Sequence, residues 1–231
     1  MTRSKKPVFI TVLVVVLIAA LASIFWNLHE PAPPPPDPRP LYEAGDALAD
    51  ETARLLANKG TVVVLAPDTE DANLYLAAFE KIIQQQKNMQ LKAVERVKVE
   101  QLRKGHGRLE SALFFDLLRK HSNADAVVSF LGLLPDLKPE DLPTLGEHRP
   151  KFLANAPSGI GVKKLFDQGI LDVAIVRRPP PTLQSLSNPP KVTYDPDGRI
   201  SPRSAFEANF MIVTADSDHS QITELGTPPV R

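Results

Sequence analysis

Arg177 and Arg178 close the apolar stretch LDVAIVRR (171–178), which stops at three prolines. Two guanidiniums at a strand end can clamp a carboxylate or phosphate, because each presents a planar fork of N–H donors. The plainer reading is a solvated strand end before a Pro turn. Asp68, Glu70 and Asp71 follow TVVVLAP (61–67). Carboxylates this close can act as an acid–base set or hold a cation, and they can also cap the next helix. Gly159-Ile160-Gly161 lies between a short apolar run and a helical one. A dinucleotide fingerprint would need glycine at position 164, which is Lys164. Ser158 therefore reads as a helix cap, with the glycines making a tight turn.

Other chemistries leave no trace. Histidines stand at 29, 106, 121, 148 and 219, none at the i, i+4 spacing of a zinc helix. There is no GxSxG elbow and no GxxxxGK[ST] loop. With no cysteine there is no disulfide, thiolate metal site or cysteine nucleophile. No cofactor and no metal are expected, and the chain is read as a non-enzyme. Lys plus Arg and Asp plus Glu both number 27, so the net charge is zero. No basic stripe interleaves with aromatics, so no nucleic-acid partner is expected.

The elements that must position these residues alternate. YEAGDALADETARLLANKG places Leu48, Thr52, Leu55 and Leu56 on one helical face, with Gly60 as a stop. TVVVLAP (61–67) is a strand buried on both faces. Asp68 to Asp71 cap a helix with Leu74, Ala77, Ala78, Ile82 and Ile83 inward. A strand over 91–100, a helix over 109–121 and a buried strand over 125–134 follow. A strand over 151–156, a helix over 160–168 closed by Gly169, and a strand over 171–178 continue the cycle. FEANFMIVTAD (206–216) reads as a returning edge strand, and Asp197-Gly198 as a turn. Strands alternating with helices predict an α/β fold, a doubly wound and mostly parallel sheet. Ligands of such sheets bind outside the carboxyl ends of the strands. Helix N-termini and loop amides converge there and favour anionic or polyhydroxyl ligands.

This order resembles the second lobe of type I periplasmic sugar-binding proteins, the solute-binding components of ABC importers related to LacI-type regulators. TVVVLAPDTEDANLYLAAFEKII, SNADAVVSFLG, KKLFDQGILDVAIVRRPP and FEANFMIVTADSD carry the likeness. Together they cover most of 41–216. The resemblance implies a Rossmann-like lobe that binds a small polar solute. It does not extend to the family's ligand arginine in the first helix, where Asn73-Leu74-Tyr75-Leu76 stands. Nor does it extend to the aspartate after the third strand, where Phe130-Leu131-Gly132 stands; the aspartate after the fourth is matched only by Asn155. The candidate ligand-binding residues are Asp68, Asp71, Asn73, Phe130, Asn155, Ser158, Arg177 and Arg178.

Ahead of this domain, Val8 to Leu28 carries no charge and is long enough to cross a hydrocarbon core of about 30 Å as a helix. Arg3, Lys5 and Lys6 precede it. The positive-inside rule then keeps residues 1–7 in the cytoplasm and sends the rest across. Ala20-Leu21-Ala22 also allows a signal peptide cleaved after Ala22, but Ile24, Phe25 and Trp26 carry the apolar run past that point. HEPAPPPPDPRP (29–40) is an extended linker, either a spacer or a plain joint. The domain follows over 41–216 and a polar tail over 217–231. The chain is thus expected to be a single-pass signal-anchor protein of the cell membrane, displaying a non-catalytic binding module in the periplasm or outside. The alternative is a structural or protein-interaction component of the envelope without a small ligand, pairing with a protein partner or with itself.

Overall fold

Val62, Val63, Val64, Leu65 and Ala66 are all fully buried at the centre of a six-stranded sheet in a computed structural model of the protein. The structure describes residues 16, 19–20, 39–104, 109–138, 149–178, 193–194, 201–217 and 222. The chain divides into two units, Met1–Asp37 and Pro38–Arg231. In the first, Val16, Ala19 and Ala20 are helical, and the rest of the expected span over 8–28 lies outside the described residues. Among the described residues no helix is long and apolar enough to cross a membrane. The linker up to residue 38 and, apart from Ser217 and Ile222, the tail also lie outside them.

The second unit runs α1 (Arg39–Leu55), β1 (Lys59–Pro67), α2 (Ala72–Gln85), β2 (Asn88–Val97), α3 (Val99–Lys104) and α4 (Ser111–Lys120). It continues β3 (Ala126–Ser129), β4 (Lys151–Asn155), α5 (Val162–Asp167), β5 (Val173–Arg177), α6 (Pro202–Asn209) and β6 (Phe210–Thr214). The strand order is β2-β1-β3-β4-β5-β6. The first five strands are parallel and β6 is antiparallel to β5. The sheet is the expected mostly parallel one, with the strand order reversing between β1 and β3.

Each face has its own core. On one, α1, α2 and α6 bring Leu48, Phe79, Ile83 and Phe206 onto Val62, Val64, Leu153 and Ile175. On the other, α3, α4 and α5 bring Leu102, Phe114 and Leu165 onto Val63, Val127 and Val176. Burying a Leu, Ile or Phe side chain contributes about 1.5–3 kcal/mol, so these layers hold the sheet without disulfides. Gly45 lets α1 press against α2, since a Cβ there would stand 2.4 Å from the Tyr75 carbonyl oxygen.

Several boundaries differ from those the sequence predicts, each for a local reason. Gly60 does not stop α1. Ala57 and Asn58 make the turn at positive φ, and Gly60 already lies in β1. Leu55 and Leu56 are only half-buried, while Thr52 is buried and donates its hydroxyl to the Leu48 carbonyl at 2.6 Å. In α2, Leu76 and Phe79 face the core and Ala77 is exposed. The second strand begins and ends earlier than 91–100, because a new helical turn opens when the Gln101 N–H bonds the Lys98 carbonyl. The third strand stops at Ser129 rather than Leu134. The Leu131 N–H donates back to the Ser129 hydroxyl, and Gly132 takes a positive φ. The apolar residues beyond it serve as a packed loop, with Leu131, Leu134 and Leu137 buried. Phe206 to Asn209 are helix, not strand. Ser201 caps α6 by accepting from the Ser204 N–H, Pro202 fits the first turn, and the strand begins only at Phe210.

Candidate functional site

The chain order reverses between β1 and β3; at such a switch point the outgoing loops diverge, and the crevice outside the carboxyl ends of the strands is where open parallel sheets bind ligands. Register defines what lies there. Ser129 pairs with Ala154, so Phe130 and Asn155, one residue further, are side-by-side neighbours. Asn155 pairs in turn with Ile175, and Arg177 stands two residues on along β5. Side chains alternate along a strand. Phe130, Leu153 and Ile175 all join the core under α1 and α2. Asn155 and Arg177 therefore share that face with Phe130.

Each of these residues has a distinct environment. Phe130 is 3% exposed. The Tyr75 ring stacks on it at 5.3 Å between centroids, and Phe79 meets it edge-on at 5.8 Å. Asn155 is 7% exposed, yet among the described residues no hydrogen bond holds its amide. Among the described residues the buried side-chain polar atom without a partner is Gln168 Oε1, so the Asn155 amide keeps access to solvent and is open to a polar ligand. Arg177 is exposed, and its guanidinium has no partner among the described residues.

The adjacent arginine is different. Arg178 Nε donates to the Glu207 carbonyl at 2.8 Å and its Nη2 to the Phe210 carbonyl at 3.5 Å, while its own N–H bonds the Asn209 carbonyl at 2.7 Å. It caps the carboxyl end of α6, where carbonyls are left over and a cation is favoured. The two candidates are thus split by what their side chains hold, Arg178 being engaged by α6 and Arg177 by nothing among the described residues.

Asp68 and Asp71 are exposed on the β1–α2 loop. Asp71 occupies the N-cap position of α2 without the expected side-chain bond, because its backbone is already helical, φ −59° and ψ −30°. The Asp68 N–H ties the loop to the Val97 carbonyl at 2.9 Å. Asn73 is engaged: its Oδ1 accepts from Arg96 Nη2 at 2.6 Å, and Arg96 also reaches the Pro67 carbonyl. Ser158 does not cap α5. That position belongs to Gly161 at φ 78°, and the Ser158 hydroxyl instead accepts from the Ile160 N–H at 3.4 Å in the preceding turn.

The structure therefore brings Phe130, Asn155 and Arg177 into one row and adds Tyr75, which sequence reasoning passed over. The Tyr75 hydroxyl is pushed above its ordinary pKa by burial first and by the Asp71 charge second. Its signal in the sequence was an aromatic one turn into the helix that follows the acidic loop. On the opposite face the crevice is filled. Leu131, Leu134 and Leu137 are buried there, the Ser111 hydroxyl donates to the Asp136 carbonyl and Lys164 pairs with the Asp136 carboxylate at 2.9 Å. Among the described residues, no three His, Asp or Glu side chains are placed to hold a metal ion.

No family model matches the chain, and no curated protein matches it in sequence. Solved structures do resemble it. A sugar-binding protein of a sugar ABC transporter from Bacillus halodurans superimposes with a TM-score of 0.51 at 14% identity, over 78% of this chain and 64% of that one. A substrate-binding protein of a sugar ABC transport system from Bordetella parapertussis gives 0.49 at 15% identity, over 80% and 60%. An arabinose-binding protein from Geobacillus stearothermophilus gives 0.45 at 18% identity, over 59% and 45%. The chain thus spans between 45% and 64% of the length of these proteins. At such identities the likeness is one of fold: a partial periplasmic-binding-protein-like fold, as the sequence predicts.

Proposed function

We propose that this chain is a membrane-anchored binding module that presents a small-solute site at the carboxyl edge of its sheet, in the periplasm or outside the cell, and performs no catalysis. One observation carries the reading: Asn155, 7% exposed at the end of β4, has an amide with no hydrogen bond among the described residues, beside Phe130 and on the same sheet face as Arg177. An uncommitted amide at the edge of an apolar core is the kind of polar group that fixes a small ligand's orientation. The solved proteins of similar fold are sugar-binding and substrate-binding proteins. The anchor rests on the uncharged stretch Val8 to Leu28 and its basic flank.

Two measurements test this. Thermal melts of the full chain against a panel of small polar solutes at millimolar concentration should show stabilisation by at least one class, and Asn155→Leu should abolish it. A reporter fused at the C-terminus should face away from the cytosol, and the intact chain should fractionate with membranes. A soluble chain, or a cytosolic reporter, removes the anchor from the proposal and leaves the site to stand on the melts.

A second reading, an envelope component that engages a protein partner or a second copy, draws on β2. It is an outer strand of ten residues, and its outer edge carries no sheet partner among the described residues. Such an edge is a template for strand addition. Concentration-dependent association with no ligand shift would favour it.

A further inference from the structure

We infer that the solute bound at this edge carries an anionic group, a carboxylate or a phosphate, held by Arg177 beside Asn155. The inference rests on the reading of this edge as a binding site and names the chemistry it selects. Among the described arginine side chains, those of Arg54, Arg96, Arg119, Arg149, Arg178 and Arg203 each hold a carboxylate, an amide or a carbonyl. Arg177 holds none of these. It is exposed at its strand end, so its fork of donors is open to an incoming acceptor.

Among the described residues nothing cancels that charge. Neighbouring strands lie about 4.8 Å apart, and β1, which leads into the acidic loop at Asp68 to Asp71, is three places from β5 in the sheet. That separation is about 14 Å, beyond the roughly 8–10 Å over which exposed charges act in physiological salt. The acids of α1 are committed elsewhere: Glu43 and Asp46 feel Arg203, and Asp46 also Lys81. The residue opposite Arg177 on β6 is Phe210, its ring stacked on Phe206 at 5.5 Å. One guanidinium on a strand beside Phe210, with the Asn155 residue about 8 Å away by strand geometry, offers a charge clamp and a second hydrogen-bonding point for one small molecule. A neutral solute would use the amide and leave the guanidinium without function.

The experiment uses the full chain in mild detergent and four probes at equal concentration and ionic strength: glucose, glucuronate, glucose 6-phosphate and inorganic phosphate. Calorimetry and thermal melts should give a Kd for glucuronate or glucose 6-phosphate at least tenfold below that for glucose, weakening as salt rises. The two charged sugars separate a carboxylate preference from a phosphate one. Arg177→Gln should erase the tenfold preference, Arg177→Lys should keep part of it, and Arg178→Gln should retain it. Glucose binding as tightly as the charged sugars, or an Arg177→Gln protein with the preference intact, overturns the inference and leaves the binding reading standing. No shift with any probe removes both.

Discussion

Asn73 and Arg96 join the first helix after β1 to the outer strand, Asn73 Oδ1 accepting from the guanidinium at 2.6 Å. The same arginine reaches the Pro67 carbonyl at the end of β1. One side chain of β2 therefore fixes both the start of α2 and the loop that leads into it. This places the Tyr75 ring over Phe130, two residues after Asn73. The aromatic wall of the crevice depends on a polar clamp behind it.

That wall is also core. Phe130 is 3% exposed and touches Tyr75 and Phe79. Phe130→Ala should cost about 3–5 kcal/mol in denaturant unfolding, as large aromatic truncations in packed sites do. Tyr75→Phe keeps the ring stack and should change stability by less than about 1 kcal/mol. A loss below 1 kcal/mol for Phe130→Ala would mean that the wall is not packed as described.

Gly45 makes a sharper prediction, because two effects oppose. Alanine is the better helix former by about 1 kcal/mol. A Cβ at this position, however, would stand 2.4 Å from the Tyr75 carbonyl oxygen and 2.9 Å from the Ala78 Cβ, and backbone cannot yield as a flexible side chain can. Overpacking of this kind costs about 1–3 kcal/mol. Gly45→Ala should therefore lower the melting temperature despite its propensity gain. An unchanged or raised melting temperature would show that α1 and α2 can separate freely.

Two carboxylates should respond to pH in opposite directions. Asp125 accepts from the Thr61 N–H at 2.7 Å and the Thr61 hydroxyl at 2.9 Å, which holds its carboxyl below the ordinary 3.8. A carboxylate whose folded pKa is depressed stabilises the fold above its unfolded pKa, and that contribution is lost as pH falls through the folded value. Glu43 lies above its ordinary 4.5, first by burial and then by the charge of Asp46, with Arg203 opposing. Its ionised form costs stability at neutral pH, and the cost disappears as pH falls through the raised value to below 4.5. Asp125→Asn should thus destabilise at pH 7 and converge on the parent at acid pH, while Glu43→Gln should stabilise at pH 7 and converge likewise. Chemical denaturation at several pH values measures both. Effects of the same sign would contradict the assigned causes.

The strands were legible where burial on both faces left continuous β-branched runs, as in Val62 to Ala66 and Val173 to Val176. Legibility failed where an apolar run continued beyond its strand. Phe130 to Leu134 look like β3 in sequence, yet a serine hydroxyl and a left-handed glycine turn them into a packed loop. It failed again at Phe206, where a Ser-Pro helix start decides against the strand reading and only the cap geometry reveals it. At the site, the residue types were readable and their facing was not. That Arg177 is open and Arg178 is spent on α6 follows from the Glu207 and Phe210 carbonyls beside Arg178, which no spacing in the chain announces.

The two arginines therefore should separate experimentally. Arg178 makes two side-chain bonds to carbonyls at the carboxyl end of α6, one of them at 2.8 Å, so Arg178→Gln leaves a helix end uncapped. Charge-assisted bonds of this sort contribute about 1 kcal/mol or somewhat more when partly exposed, and the melting temperature should fall accordingly. Arg177→Gln removes a side chain that holds nothing among the described residues, so stability should stay within about 0.5 kcal/mol of the parent. Equal losses for both would mean that Arg177 is structural too, and the charge at the carboxyl edge would then have no spare capacity for a ligand.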